Sequence, residues 1–308
     1  MSAKRVVVMG SFVADVAFRL DRLPVWGETL MGSAFMLGPG GKGSNQAVAA
    51  ARAGGQVTFI SKLGGDPFGH MARELYRAED IDATYVFATD SPTGAAAILV
   101  DATRGENAIV VVPGACFELS PEEVSRAEDA IAGAAIFATQ LELALPTVEH
   151  GLRLAHSLGV PTLLNPAPAC PLPESIFPLC HFLTPNESEA EALTGIRIAT
   201  LTDAADAADA LLQRGVRTVV ITLGAQGALV KNATTLEHVS PFHAGPVVDT
   251  TGAGDAFNGG FAVAVAEGRS TVEAVRFGCA VAAISVTRPG TAPSMPHRHE
   301  VDALLERR

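Results

Sequence analysis

The segment VVDTTGAGDAFNGG, Val247 to Gly260, sets one aspartate, Asp255, directly after a Gly-Ala-Gly turn. Small residues in succession let backbone N–H groups converge, and a helix starting there adds about half a positive charge at its N-terminus. Such amides stabilise a phosphate or a developing oxyanion. A carboxylate beside them repels a bound anion unless it takes up a proton. A general base aimed at a hydroxyl, next to amides that neutralise a transferring phosphoryl group, reconciles the two. Aspartate is also a favoured helix N-cap, and on this stretch alone that alternative stays open. Gly254 on one side and AFNGG on the other keep the entrance bare, which a cap does not require.

A second glycine turn, GPGGKGSNQAVAAARAG, runs from Gly38 to Gly54. It is not a Walker loop: Met36 stands where that pattern needs its first glycine, and Gly43 follows Lys42 where it needs Ser or Thr. Its glycines let a small polar ligand approach the backbone, while Lys42 and Asn45 offer donors to hydroxyls. A tight strand-to-helix turn with a solvated lysine is the alternative. Isolated polar residues close several apolar runs: Asp15 after MGSFVA, Glu142 after IFATQL, Asn165 after TLL, and Asn186 with Glu187 and Glu189 after HFLTP. Each alone reads as a cap or turn residue. Together, at successive strand ends of one sheet, they converge on one crevice. TLGAQGALV, Thr222 to Val230, joins two strands through Gly224 and Gly227 and suits a nucleotide-phosphate loop.

These residues need a scaffold, and the flanking pattern supplies one. RVVVMG, VTFISKLG, AAIFATQ, PTLLNPAP, HFLTPN and RTVVITLG are short apolar runs ending in turn residues, without polar alternation, as expected of strands buried on both faces. Between them lie helical stretches: SNQAVAAARAG, FGHMARELYRAED, PEEVSRAEDAIAG, PTVEHGLRLAHSLG and DAADAADALLQRG, with a mostly helical signal from Gly254 onward. This alternation predicts an α/β fold, a mostly parallel sheet flanked by helices on both sides. Two segments, VADVAFRLDRLPVWGETLMGSAFML and TGAAAILVDATRGENAIVVVPG, read instead as hairpins, the second turning at Arg104–Asn107. They predict a small accessory sheet, apolar on both faces, one of which should cover the active site, a second subunit, or both.

Composition limits the partners. The 308 residues are 48% hydrophobic, enough for one large domain, and the formal net charge of −11 argues against nucleic-acid binding. No run approaches a membrane span, and the basic start at Lys4 and Arg5 is broken early by Gly10 and Asp15, as in a first strand rather than an export signal. Cys116, Cys170, Cys180 and Cys279 lack a C-x-x-C pair and suit reduced thiols of a cytoplasmic protein. His297 and His299 read as a solvated tail.

Taken in order, GGKGSNQAVAAARAG, LNPAPA, TPNESEAEALTG, ITLGAQGA, DTTGAGDAFNG and VTRPGTAPSMP resemble the ribokinase-like (PfkB) carbohydrate kinases from Gly10 to Pro296. The resemblance implies a single three-layer domain over residues 1–308, with a β lid from about 12–40 and 93–113 that pairs two chains. It implies transfer of the ATP γ-phosphate to a sugar's primary hydroxyl. Asp255 would be the base, and the amides of Gly252, Ala253 and Gly254 the anion hole. Val13, Asp15, Gly41, Lys42, Asn45 and Glu142 match sugar-binding positions. Asn186, Thr222, Gly224, Gly227, Gly254 and Cys279 match the ATP site. Glu189 would help place Mg²⁺ through water. Asp249, Thr251, Ser285, Arg288, Gly290 and Ser294 match a loop holding a monovalent cation, usually K⁺, largely through carbonyls.

Two positions depart from the family. Val13 replaces an asparagine that bonds a sugar hydroxyl, and Cys279 replaces a histidine near the adenine. Valine neither donates nor accepts, so a ribose hydroxyl there loses a hydrogen bond worth about 0.5–1.5 kcal/mol. That favours 2-deoxyribose or a differently shaped sugar, unless a neighbour or water compensates. Kinases of a ketohexose, a keto-deoxy acid or a nucleoside, and a silent sugar-binding protein on the same fold, are the competing readings.

Overall fold

The computed structural model describes residues 5–101 and 107–307; Lys4 and most of the turn expected at Arg104–Asn107 lie outside them. Seven strands lie parallel in one large sheet: β1 (Arg5–Met9), β4 (Gln56–Gly64), β5 (Asp82–Thr89), β8 (Ile136–Thr139), β9 (Thr162–Leu164), β10 (Phe182–Leu183) and β11 (Thr218–Thr222). β12 (Ala228–Asn232) and β13 (Leu236–Val239) extend it antiparallel, giving the order β13-β12-β11-β10-β9-β8-β1-β4-β5. A separate four-stranded sheet, in the order β3-β2-β6-β7, consists of β2 (Val13–Leu20), β3 (Ala34–Gly40), β6 (Thr93–Asp101) and β7 (Asn107–Gly114).

Alternate residues of β1 enter different cores. Val6 and Val8 face one cluster, packed by α1 (Lys42–Arg52), α2 (Pro67–Ala78), α8 (Ala253–Ala266), α9 (Thr271–Ser285) and α10 (Arg298–Glu306). Val7 and Met9 face the other, packed by α3 (Pro121–Ser125), α4 (Glu128–Ala132), α5 (Leu145–Ser157), α6 (Glu187–Thr194) and α7 (Leu201–Gln213). Three layers result, and the unbroken apolar runs follow from burial on both faces.

Several local features differ from the sequence expectation. PEEVSRAEDAIAG forms two short helices rather than one, because Ala127 N bonds Val124 O and tightens the chain between them. β5, β13 and α6 were not expected; α6 is only eight residues long and is held by its ends, with an Asn186–Glu189 capping box and left-handed Gly195. The alanine-rich α7 buries Ala204, Ala207, Ala208 and Leu211 on one face. None of the four cysteines is in a disulfide, and three of them are buried. Among the described residues no helix is long and apolar enough to cross a membrane.

Gly259 and Gly260 do not serve to keep the entrance of α8 bare. They lie one to two turns in, where α8 meets α1 and α9. A Cβ at Gly259 would sit 2.5 Å from Ala49 Cβ and 2.7 Å from Gln46 O, and one at Gly260 2.6 Å from Val281 Cγ2. Replacing Gly259 with valine is therefore expected to destabilise the fold by about 1–3 kcal/mol through overpacking. Thermal unfolding checks this; a midpoint unchanged from the parent would refute the close-contact account.

Candidate active site

Because the sheet is parallel, its strand ends gather on one edge. Ser11 follows β1, Gln140 and Glu142 follow β8, Asn165 follows β9, Thr184 follows β10, and Thr222 ends β11. The N-termini of α1 and α8 start at the same crevice, whose lining includes Lys42, Asn165, Thr184, Asn186, Glu189, Thr222, Gly252, Ala253, Gly254, Asp255 and Asn258.

Asp255 does not cap its helix. The N-cap of α8 is Gly252, at φ 77°, a left-handed conformation that favours glycine, and no side chain caps the helix. Asp255 is the third helical residue, 6% exposed. Its Oδ2 accepts from Asn45 Nδ2 at 3.0 Å and its Oδ1 from Gln46 Nε2 at 3.1 Å. Burial pushes its carboxyl above the usual carboxylate range, while Lys42 and the two amide donors pull the other way. Beside it, the amides of Gly252 and Gly254 make no hydrogen bond among the described residues; that of Ala253 donates to Thr250 O at 3.2 Å. A Cβ at Gly254 would meet nothing within 4 Å, so the helix entrance is open there.

Toward the small sheet, Asp15 lies over Gly40 and accepts from Thr291 Oγ1 at 3.4 Å. Burial raises its pKa to about 6, against the Thr291 bond, with Glu142 and Asp255 adding to the rise. Val13, two residues before it on β2 and so on the same face, is buried. Gly41 is the N-cap of α1. Glu142 Oε2 takes the Lys42 amide at 2.9 Å and the Ser11 hydroxyl. Burial works against the charge on the Lys42 ammonium, but Asp255, Glu142 and Glu189 hold its pKa above the ordinary value.

At the other end of the crevice, Asn186 and Glu189 cap α6 reciprocally. Glu189 Oε2 accepts Asn186 N at 2.9 Å and Oε1 accepts Asn186 Nδ2 at 3.0 Å. Burial leaves Glu189 above its usual pKa despite that backbone bond. Thr222 bridges to Asn186. A Cβ at Gly224 would meet open space, whereas one at Gly227 would collide with Val239 O, so Gly227 answers to packing against β13. Cys279 is buried in α9 among apolar neighbours.

The segment before α8 is tied to the turn after α9. Val248 N and Asp249 N both donate to Val286 O, while Asp249 accepts Thr251 N at 2.9 Å and Gly290 N at 3.0 Å. The hydroxyls of Ser285 and Ser294 donate to Ala282 O and Thr291 O, and Arg288 is turned away onto Glu300. No group of three His, Cys, Asp or Glu able to hold a metal occurs among the described residues.

Sequence reasoning missed Gln46, Gln140, Thr184, Asn258 and Thr291. Gln46 follows Asn45 and Asn258 lies three residues past Asp255, so both carried a signal: a polar side chain inside an otherwise small, apolar helix. Thr184 Oγ1 donates to Asn258 Oδ1 at 2.6 Å, and Asn258 Nδ2 to Gly254 O at 2.8 Å, which fixes the first turn of α8.

Residues 3–298 match the model of the pfkB family carbohydrate kinases. A ribokinase of Haemophilus influenzae is 41% identical over 98% of this chain and 99% of its own length. A deoxyribokinase of Salmonella typhi is 37% identical over 97% and 98%. The structure of Arabidopsis thaliana ribokinase complexed with ribose and ATP superposes with a TM-score of 0.93 at 32% identity, covering 99% of each chain. Over nearly its whole length, the chain belongs to the pfkB family of carbohydrate kinases.

Proposed function

We propose that this chain phosphorylates the primary hydroxyl of a pentose, ribose or 2-deoxyribose, with ATP as donor and Asp255 as general base. The observation that carries this reading is the buried Asp255 carboxylate beside the open amides of Gly252 and Gly254. As the sugar oxygen attacks the γ-phosphorus, Asp255 takes the hydroxyl proton and the bond to the β-phosphate oxygen breaks, releasing ADP. The amides and Lys42 stabilise charge on the transferring group. Mg²⁺ carried by the nucleotide would neutralise phosphate charge, and Glu189 fits it through water, since both carboxylate oxygens already accept from Asn186. K⁺ on the carbonyls of the 249–251 and 285–294 segments would add positive charge close to the N-terminus of α8.

The sugar side is rich in acceptors. Asp15 lies near Glu142 and Asp255, and Lys42 is the cation that faces the latter two, a set that suits hydroxyl donors and disfavours an anionic keto-deoxy acid. Among the described residues, no aromatic side chain is in the lining that Lys42, Asn165 and Asp255 share, so a nucleoside base has no platform there. Buried Val13 on the Asp15 face favours the deoxy sugar. The small sheet exposes Phe35, Met36, Leu37 and Ile109 to Val112, an apolar surface suited to a second copy of the chain.

Three outcomes follow. Asp255→Asn should lower kcat by about a thousandfold while ATP still binds; near-normal turnover would refute the base assignment. In an ADP-release assay across ribose, 2-deoxyribose, fructose and nucleosides, 2-deoxyribose should lead, and Val13→Asn should shift the ratio toward ribose by roughly 2–10-fold. A parent enzyme strongly preferring ribose would remove the role given to Val13. Sedimentation should find a dimer that Val111→Lys weakens; a monomer at micromolar concentration would exclude the pairing.

A further inference from the structure

Asp255 Oδ1 is held by Gln46, a residue that the reading above leaves without a function. A carboxylate can only accept, so the carboxamide of Gln46 must present its NH₂ to Asp255. The same Nε2 also lies 3.1 Å from Asn165 Oδ1, and Asn165 is oriented in turn by donating to Thr184 O at 3.1 Å. Gln46 Oε1 then points the other way and needs a donor. Gln140 Nε2 supplies it at 2.6 Å. Both glutamines are fully buried, and Gln140 Oε1 has no partner among the described residues, so the Gln46 bond is what its carboxamide makes. Gln140 reaches that place only because Gly10 is a glycine; a Cβ there would overlap Gln140 Oε1.

We propose that Gln140 and Gln46 are positioning residues, a two-amide relay that pins Oδ1 of Asp255 and leaves Oδ2 facing the sugar hydroxyl. The relay deepens the assignment of Asp255 as base and rests on it. Asn45 cannot do the same work. Its Nδ2 holds Oδ2 while its Oδ1 is buried and unpartnered, a state suited to exchanging partners with a hydroxyl. Gln46 has its donor and acceptor committed within the protein and stays in place.

The charged groups around Asp255 are Lys42 from α1, Glu142 after β8, Asp15 from β2 and Glu189 from α6. Three are acids. Lys42 and the neutral donors of Asn45 and Gln46 oppose burial, which on balance still leaves the carboxyl above its usual range. Removing a donor to the charged form raises a carboxyl pKa. The base works only when ionised, so the acidic limb of the rate profile then moves to higher pH.

The test is kcat against pH at saturating sugar and ATP for Gln46→Met, Gln140→Met and the double variant, with thermal unfolding as the control for folding. Gln46→Met should move the acidic limb upward by about one pH unit, roughly tenfold in rate at a fixed pH on the limb. Gln140→Met should move it the same way by less, and the double variant should match Gln46→Met, because Gln140 acts through Gln46. Limbs unshifted in both single variants, or a double shift equal to the sum of the two, would overturn the relay. Should Gln46→Met not fold, Gln140→Met alone decides by whether its limb moves. Asp255→Asn separates the two readings: if it stays active the base assignment fails, and if it is dead while the limbs stand still only the relay fails.

Discussion

Were Asp255 the base, as proposed, its carboxyl would have to be ionised in a place that has little water, and burial there raises its pKa. Lys42, Asn45 and Gln46 counter this from a single helix, α1, within little more than its first turn. The helix that carries the proposed base, α8, has no side-chain cap and would offer its first amides to an incoming phosphoryl group. Proposed base and oxyanion donors thus share one helix, while the groups that tune Asp255 come from another. Chemistry requires those two helices to keep their spacing.

That requirement explains the small residues between them. Gly259 brings α8 against the backbone of Gln46 and Ala50, and Gly260 and Gly278 bring α8 and α9 together. Without Cβ atoms in the way, the backbones approach until the carboxamides of Asn45 and Gln46 reach Asp255 at 3.0–3.1 Å. One more methyl at such a contact moves the donors by a few tenths of an ångström, on the scale where hydrogen bonds weaken.

Much of this was legible in the sequence, for physical reasons. Runs such as RVVVMG and RTVVITLG announce strands because burial on both faces leaves no room for polar alternation. Asp255 and Lys42 stand out because they are charges inside glycine turns. Gln46 and Gln140 were missed because their meaning lies in pairing across 94 residues, which no local pattern records. The glycines after Asp255 were seen but misread: their neighbours are on other helices, and sequence spacing does not show helix crossings. Capping, left open at Asp255, does not occur there, whereas at Asn186, where a cap was one of the readings, the side chain and that of Glu189 form a capping box.

The register of the small sheet has a mechanical consequence. Val13 pairs with Gly40 and with Gly94, and Thr93 pairs with Gly114. The four points where this sheet joins the body thus stand in one row across its strands, like the pin of a hinge. A rotation about that row would sweep the far tip, where Trp26 stands fully exposed, through a long arc. Asp15, two residues from the pivot, would hardly move, so a contact between it and the proposed sugar could form before such a flap closed and persist while it did.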